Sequence, residues 1–298
     1  MKRFSSLAAL TALLLTSAAC GDSSENDNKP ESSDSSTAAE TNDAPKAIIS
    51  LSPSSTEQLF AIGAGDQVIA VDEYSDYPAQ ALELPHDLSG FEPNVEAIAA
   101  LKPDLVVMES TQVQEQLEAL GINVFVALAP ATFDDLYTQI EQLGAATGHV
   151  GEAAELVGQM QTDVAAALAA VPAPAEPLSI YHELDPTYYT VTSGIFIGQV
   201  YTLFGLTNIA DGVEAGNDYP QLSAEYIIAS APDVIFLADT KYAGESAESV
   251  SARAGWDVIP AVANGNVVAM DDDIASRWGP RIIDYIKAVS AALALVSA

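Results

Sequence analysis

Beyond residue 46 the chain alternates short apolar runs rich in β-branched side chains with stretches whose apolar positions recur every three or four residues. Residues 47–51, 68–71, 104–108 and 123–127 read as strands, and 56–62, 95–101 and 112–120 as the helices between them. Alternation of this kind predicts an α/β lobe with a mainly parallel sheet covered on both faces. A second series, at 178–184, 195–204, 224–230, 233–237, 267–270 and 282–296, predicts another such lobe. Between the two, residues 151–171 are rich in Ala, Glu, Gln and Leu and meet no proline before Pro172, which predicts one long helix. The proline-rich run at 172–177 stops it and leads into the second lobe.

The first 46 residues follow a different pattern. Lys2 and Arg3 give a basic start, residues 7–15 an apolar core, and residues 16–19 a run of small side chains ending at Cys20. This is the layout of an export signal. Ala18-Ala19-Cys20 resembles a bacterial lipobox, whose cysteine is lipidated and becomes the N-terminus, although Ser17 stands where that motif usually has Leu, Val or Ile. An ordinary secretory signal with an incidental cysteine is the other reading. From residue 21 to 45 no apolar side chain exceeds alanine, and acidic groups face the single Lys29, so the segment reads as an extended, disordered tether. The expected organisation is a signal peptide at 1–19, a lipidated cysteine and acidic tether at 20–45, lobes at 46–148 and 173–298, and a bridging helix at 149–172. No later stretch offers about 18 uninterrupted apolar residues, so attachment to the outer face of the cell membrane is expected through the lipid alone.

Charge and composition narrow the function. The 42 acidic against 10 basic residues give a net charge of −32, and such a polyanion is repelled by phosphate backbones, which excludes nucleic acid as a partner. With 49% apolar and 17% charged residues, most of the chain has the composition of a globule, so the acidity belongs to its surface and fits a saline habitat. One cysteine excludes an internal disulfide and a thiolate zinc site. There is no glycine-rich nucleotide motif, no Gly-x-Ser-x-Gly elbow and no His-Glu-x-x-His, which disfavours a nucleotide enzyme and an exported hydrolase alike. His86, His149 and His182 are scattered, a poor start for a cage around bare Zn²⁺ or Mn²⁺. His182-Glu183 remains open as a ligand to haem iron or a neighbour of a ferric chelate. No resident cofactor or metal is expected.

The two lobes share a segment without a gap: Glu96-Ala-Ile-Ala-Ala-Leu-Lys-Pro103-Asp104 in the first and Glu225-Tyr-Ile-Ile-Ala-Ser-Ala-Pro232-Asp233 in the second. Each reads as a short helix ended by Pro-Asp and followed by a buried strand, which suggests lobes related by a pseudo-two-fold axis. Asn94 and Ser223 are good N-caps, so each glutamate sits in a first turn where a carboxylate favours the helix end. Helix capping is one role. Docking onto a symmetric, two-subunit partner is another, and the two are compatible.

Residues 49–57 (Ile-Ser-Leu-Ser-Pro-Ser-Ser-Thr-Glu), Ser75-Asp-Tyr-Pro78, the segment at 94–104, Tyr219-Pro-Gln-Leu-Ser-Ala-Glu225 and Ser276-Arg-Trp-Gly-Pro-Arg281 resemble, in order and spacing, the substrate-binding proteins of ABC importers for vitamin B12 and ferric siderophores. The resemblance runs from about residue 46 to the end. It implies two Rossmann-like lobes joined by a rigid helix, a ligand held between them with little hinge motion, and delivery by a monomer to a two-fold symmetric ABC permease. It also implies that Glu96 and Glu225 contact the permease. In vitamin B12-binding members aromatic residues of both lobes clasp the corrin ring, and the matching positions are Tyr77, Phe91 and Tyr219, with tryptophan in those members where this chain has Phe91 and Tyr219. Asp273 and Arg277 match a polar pair of the same site, and Trp278 lies beside them as cleft wall or core. A structural ion pair is the other reading of Asp273 and Arg277. The resemblance places a cobalamin-like corrinoid ahead of a ferric siderophore as ligand.

Overall fold

Two four-stranded parallel sheets organise the computed structural model, which describes residues 44–171 and 177–296. The signal-peptide reading, Cys20, nearly all of the tether and the proline run at 172–176 lie outside the described residues. The first sheet has the order β2-β1-β3-β4, from β1 (Ile48–Leu51), β2 (Val68–Val71), β3 (Leu105–Met108) and β4 (Asn123–Val126). The second repeats that order as β6-β5-β7-β8, from β5 (Ser179–Glu183), β6 (Thr207–Asn208), β7 (Val234–Leu237) and β8 (Val267–Ala269). The central strands β1, β3 and β7 are buried at every residue, as parallel strands covered on both faces must be.

The helices are α1 (Pro53–Ala61), α2 (Val95–Ala100), α3 (Gln114–Ala119), α4 (Phe133–Thr147), α5 (Val150–Ala169), α6 (Phe196–Leu203), α7 (Ala224–Ser230), α8 (Ala247–Ser251), α9 (Pro260–Ala263) and α10 (Ile282–Val296). The expected long helix is α5. It packs on α4 of the first lobe and on α10 of the second, where Lys287 Nζ meets Asp163 at 3.0 Å and the Ser290 hydroxyl donates to the Ala167 carbonyl at 2.9 Å. α4 was not foreseen. It opens on a capping box between Thr132 and Asp135 and turns into α5 through Gly148, whose φ of 84° is the left-handed conformation that glycine adopts freely. The turn is tight enough that a Cβ on Gly144 would lie 2.4 Å from that of Ala153.

One hydrophobic cluster runs through both lobes, from Ile48, Leu59 and Ile140 through Val157 and Met160 of α5 to Phe236, Ile286 and Leu293. Phe133 and Phe196 touch across the lobes at 4.8 Å between ring centroids. Separate clusters lie under the outer face of each sheet, around Val106 and Leu117 in the first and around Tyr181 and Trp256 in the second.

A candidate ligand-binding cleft

Parallel α/β sheets place ligands outside the carboxyl ends of their strands, where side chains are freed from the ladder and helices begin. Here those ends supply Ser52 after β1, Asp72 after β2 and Glu109 after β3. Ser52 caps α1, its hydroxyl accepting the Ser55 backbone N–H at 3.3 Å and donating to Glu109. With residues from the segment 273–278 of the second lobe they line a cavity of about 790 Å³, whose walls include Tyr74, Phe91, Tyr242, Asp273, Arg277 and Trp278. A smaller cavity of about 280 Å³ is lined by Pro130, Val191, Phe196 and Tyr219 and shares Ser276 and Trp278 with the first, so the two adjoin across that segment.

The sequence-expected aromatics therefore divide. Phe91, 76% exposed, stands edge-on to Tyr74 at 5.8 Å on the wall of the large cavity. Tyr219 lines the small one, and Trp278 both. Tyr77 lines neither, and the Arg281 guanidinium lies over its ring at 4.3 Å; Tyr74, three residues earlier, stands on the wall of the large cavity. Tyr74, Tyr242, Asp72 and Glu109 were missed in the sequence. The signal for the two acids was their position immediately after β2 and β3.

Asp273 and Arg277 both face the large cavity, and both are engaged by protein groups. Arg277 Nη1 donates to Glu57 at 3.1 Å and Asp76 at 2.8 Å, and Nη2 to Asp273 at 3.1 Å and the Tyr74 carbonyl at 3.2 Å. Lys241 Nζ reaches Asp273 at 2.7 Å and Asp76 at 3.3 Å, while the Tyr242 hydroxyl donates to Asp273 at 2.9 Å. Arg281 adds a bond to Glu57 at 3.3 Å. This network joins first-lobe acids to second-lobe cations, which is the ion-pair arrangement left open by the sequence. Burial opposes ionisation of Asp76, yet Arg277 and then Lys241 hold its carboxyl below the usual range. Burial outweighs both arginines at Glu57 and raises it.

Asp72 and Glu109 have no such partners. Burial pushes Asp72 up to about 6 and raises Glu109 as well, against the hydroxyl bonds from Ser75 and Ser52.

Glu96 and Glu225 are exposed in the first turns of α2 and α7, beside the caps in which Asn94 accepts the Ala97 N–H at 3.0 Å and Ser223 the Tyr226 N–H at 3.2 Å. Among the described residues neither glutamate forms an ion pair. His182 is fully buried in the second lobe, with Nδ1 at 2.7 Å from the Tyr201 hydroxyl, and desolvation lowers it to about 4. It is a neutral core residue away from both cavities, which removes it as a ligand to haem iron. Among the described residues no group of three or more His, Cys, Asp or Glu side chains is arranged to hold a metal ion.

The family model described as periplasmic binding protein matches residues 48–274. An ABC transporter substrate-binding lipoprotein of Bacillus subtilis is 31% identical over 253 residues, covering 82% of this chain and 78% of the relative. A cobalamin-binding protein of Halobacterium salinarum is 33% identical over 266 residues, covering 84% and 70%. The crystal structure of the periplasmic vitamin B12-binding protein of Vibrio cholerae superposes with a TM-score of 0.70 at 30% identity, covering 85% of this chain and 98% of that one.

Proposed function

Because the chain belongs to the periplasmic binding protein family, whose members bind and deliver ligands rather than transform them, we propose that it captures a large metal chelate for an ABC importer, a cobalamin-like corrinoid ahead of a ferric siderophore. The observation that carries this reading is the cavity of about 790 Å³ walled by the rings of Tyr74, Phe91 and Tyr242. Flat aromatic faces give a planar macrocycle a large contact area with little side-chain entropy to lose, and the volume lies at the upper end of the range for small-molecule sites. The names of the relatives from Halobacterium and Vibrio support a corrinoid. Titration of the mature protein with cyanocobalamin, haemin and ferric siderophores, followed by tryptophan fluorescence, tests the proposal. Saturable binding of one of them is expected; silence with all of them overturns it.

The remaining assignments complete this picture. Lobes at 46–148 and 173–298, bridged by 149–172, act as a monomer with little hinge motion, a reading supported by the packing of α5 on both α4 and α10. Cys20 carries the lipid that holds the protein to the outer face of the membrane, in keeping with the name of the Bacillus relative. Glu96 and Glu225 each meet a basic patch on a two-fold symmetric permease, a role their exposure and lack of ion pairs leave them free to fill. Replacing both with Gln should abolish uptake by whole cells while leaving ligand affinity in solution unchanged. Normal uptake by the double variant would return the pair to helix capping.

A further inference from the structure

The large cavity is chemically lopsided. On the side of the second lobe every charge is matched: Arg277 spends both terminal nitrogens on Glu57, Asp76, Asp273 and a backbone carbonyl, and Lys241 is held by Asp273 and Asp76. On the side of the first lobe stand two acids that no cation pairs. Asp72 is only 2% exposed, its Oδ1 accepts the Ser75 hydroxyl, and its Oδ2 accepts no hydrogen bond from any described residue. Glu109 uses Oε1 on the Ser52 hydroxyl and likewise leaves Oε2 without a donor. Neither acid belongs to an ion pair among the described residues, and both line the cavity. Ionised carboxylates only accept hydrogen bonds, and inside a cleft with low-dielectric walls their field is focused rather than dispersed.

We propose that Asp72 and Glu109 are specificity-determining residues that select a chelate whose rim donates N–H hydrogen bonds or carries positive charge, and that they turn away chelates rimmed by carboxylates or other anions. This rests on the chelate-binding reading above and divides its candidates. A corrinoid rim of carboxamides and a hydroxamate complex bearing an ammonium group both satisfy the two free oxygens. Haem, with its propionates, and a triscatecholate ferric complex would each bring negative charge against carboxylates that form no ion pair among the described residues. Excluding an anion here costs the protein nothing further, whereas admitting one would leave like charges facing each other out of water.

The test is a set of titrations of the mature chain at pH 7.5, above the value of about 6 to which burial raises Asp72. The probes are cyanocobalamin, ferrioxamine B, haemin and ferric enterobactin, applied to the parent protein and to Asp72→Asn, Glu109→Gln and the double variant. One of the first two probes is expected to bind at least about 100-fold tighter than either anionic one. Each single substitution should weaken that ligand by about tenfold and narrow its margin over the anions, because a neutral amide donor no longer meets a charge. If haemin or ferric enterobactin binds most tightly, or if the substitutions leave the margin unchanged, the selectivity proposal is wrong while chelate binding stands. If nothing binds, the chelate reading falls and takes this proposal with it. Glu109, half-buried at the cavity wall, carries the test by itself should Asp72→Asn fail to fold.

Discussion

Two arginines caged by carboxylates show how the same chemistry serves different ends. Arg253 grips Glu183 with both terminal nitrogens at 2.6 and 2.7 Å, adds Glu245 at 2.7 Å, and lies 4.6 Å over the ring of Trp256 and 5.5 Å over that of Tyr188. Every partner comes from the second lobe. Arg277 has a similar cage of carboxylates, but Glu57 and Asp76 come from the other lobe, more than 200 positions earlier in the chain, and the cavity opens beside it. The first arginine ties a loop to the end of β5. The second ties one lobe to the other at the rim of the cleft. A guanidinium is used in both because its planar fork satisfies several carboxylates at once.

Removing each arginine separates these roles. Arg253→Met leaves Glu183 buried and facing Glu245 and Asp239 without a cation, so a loss of about 3–5 kcal/mol in unfolding free energy is expected from urea denaturation, with ligand affinity of the folded fraction unchanged. Arg277→Met should cost less, about 2–3 kcal/mol, because Arg281 still reaches Glu57 and Lys241 still reaches Asp273, and it should also weaken ligand binding by loosening the cavity rim. Equal stability losses with no change in affinity from either variant would erase the distinction.

Acid–base behaviour sharpens the contrast. Near Arg253, Asp239 is 3% exposed with both carboxylate oxygens unpartnered, and burial followed by repulsion from Glu183 and Glu245 raises it to about 7. The folded state therefore holds this proton more tightly than the unfolded one, and stability declines as pH rises from about 4 to about 7. Asp239→Asn should remove about 2–4 kcal/mol of that decline. Asp76, beside Arg277, is shifted the other way, so its contribution is present above the ordinary aspartate range and is lost as pH falls through its lowered value. Melting temperatures followed from acid to neutral pH should show Asp239→Asn flattening the decline between about 4 and 7, and Asp76→Asn flattening the loss of stability below the ordinary aspartate range; the same change in slope from both variants would refute the assignment.

Much of the architecture was written in local pattern. β3 and β7 are four-residue apolar runs, and β1 is one but for the buried Ser50, because both faces of their sheets are covered; α7 and α10 match their expected ranges to the residue. β6 escaped notice because a pairing of two residues, Thr207–Asn208, carries no periodicity. α4 did have a signal, Thr132 three positions before Asp135 and then Leu136, Ile140 and Leu143 on one face. The cleft was legible only in part. Asp72-Glu-Tyr-Ser-Asp-Tyr-Pro78 contains two tyrosines three apart, of which Tyr74 lines the cavity while Tyr77 lies under the guanidinium of Arg281, some 200 positions later. The cage around Arg277 likewise joins residues whose meeting depends on the docking of the lobes, a relation that no window of sequence contains.

The hydrophobic cluster that passes from one lobe to the other through α5 makes the described chain a single cooperative unit in the calorimetric sense. Each lobe keeps a smaller cluster of its own under the outer face of its sheet, but the largest cluster is shared, since Ile48 near one end of the fold and Leu293 near the other both belong to it. Heat should then be absorbed in one endotherm rather than two. A molecule seated between the lobes would raise the midpoint of that one transition as a whole, by an amount equivalent to about 2.7 kcal/mol at a concentration 100-fold above its dissociation constant. The protein thus carries its own thermometer for whatever occupies the cleft.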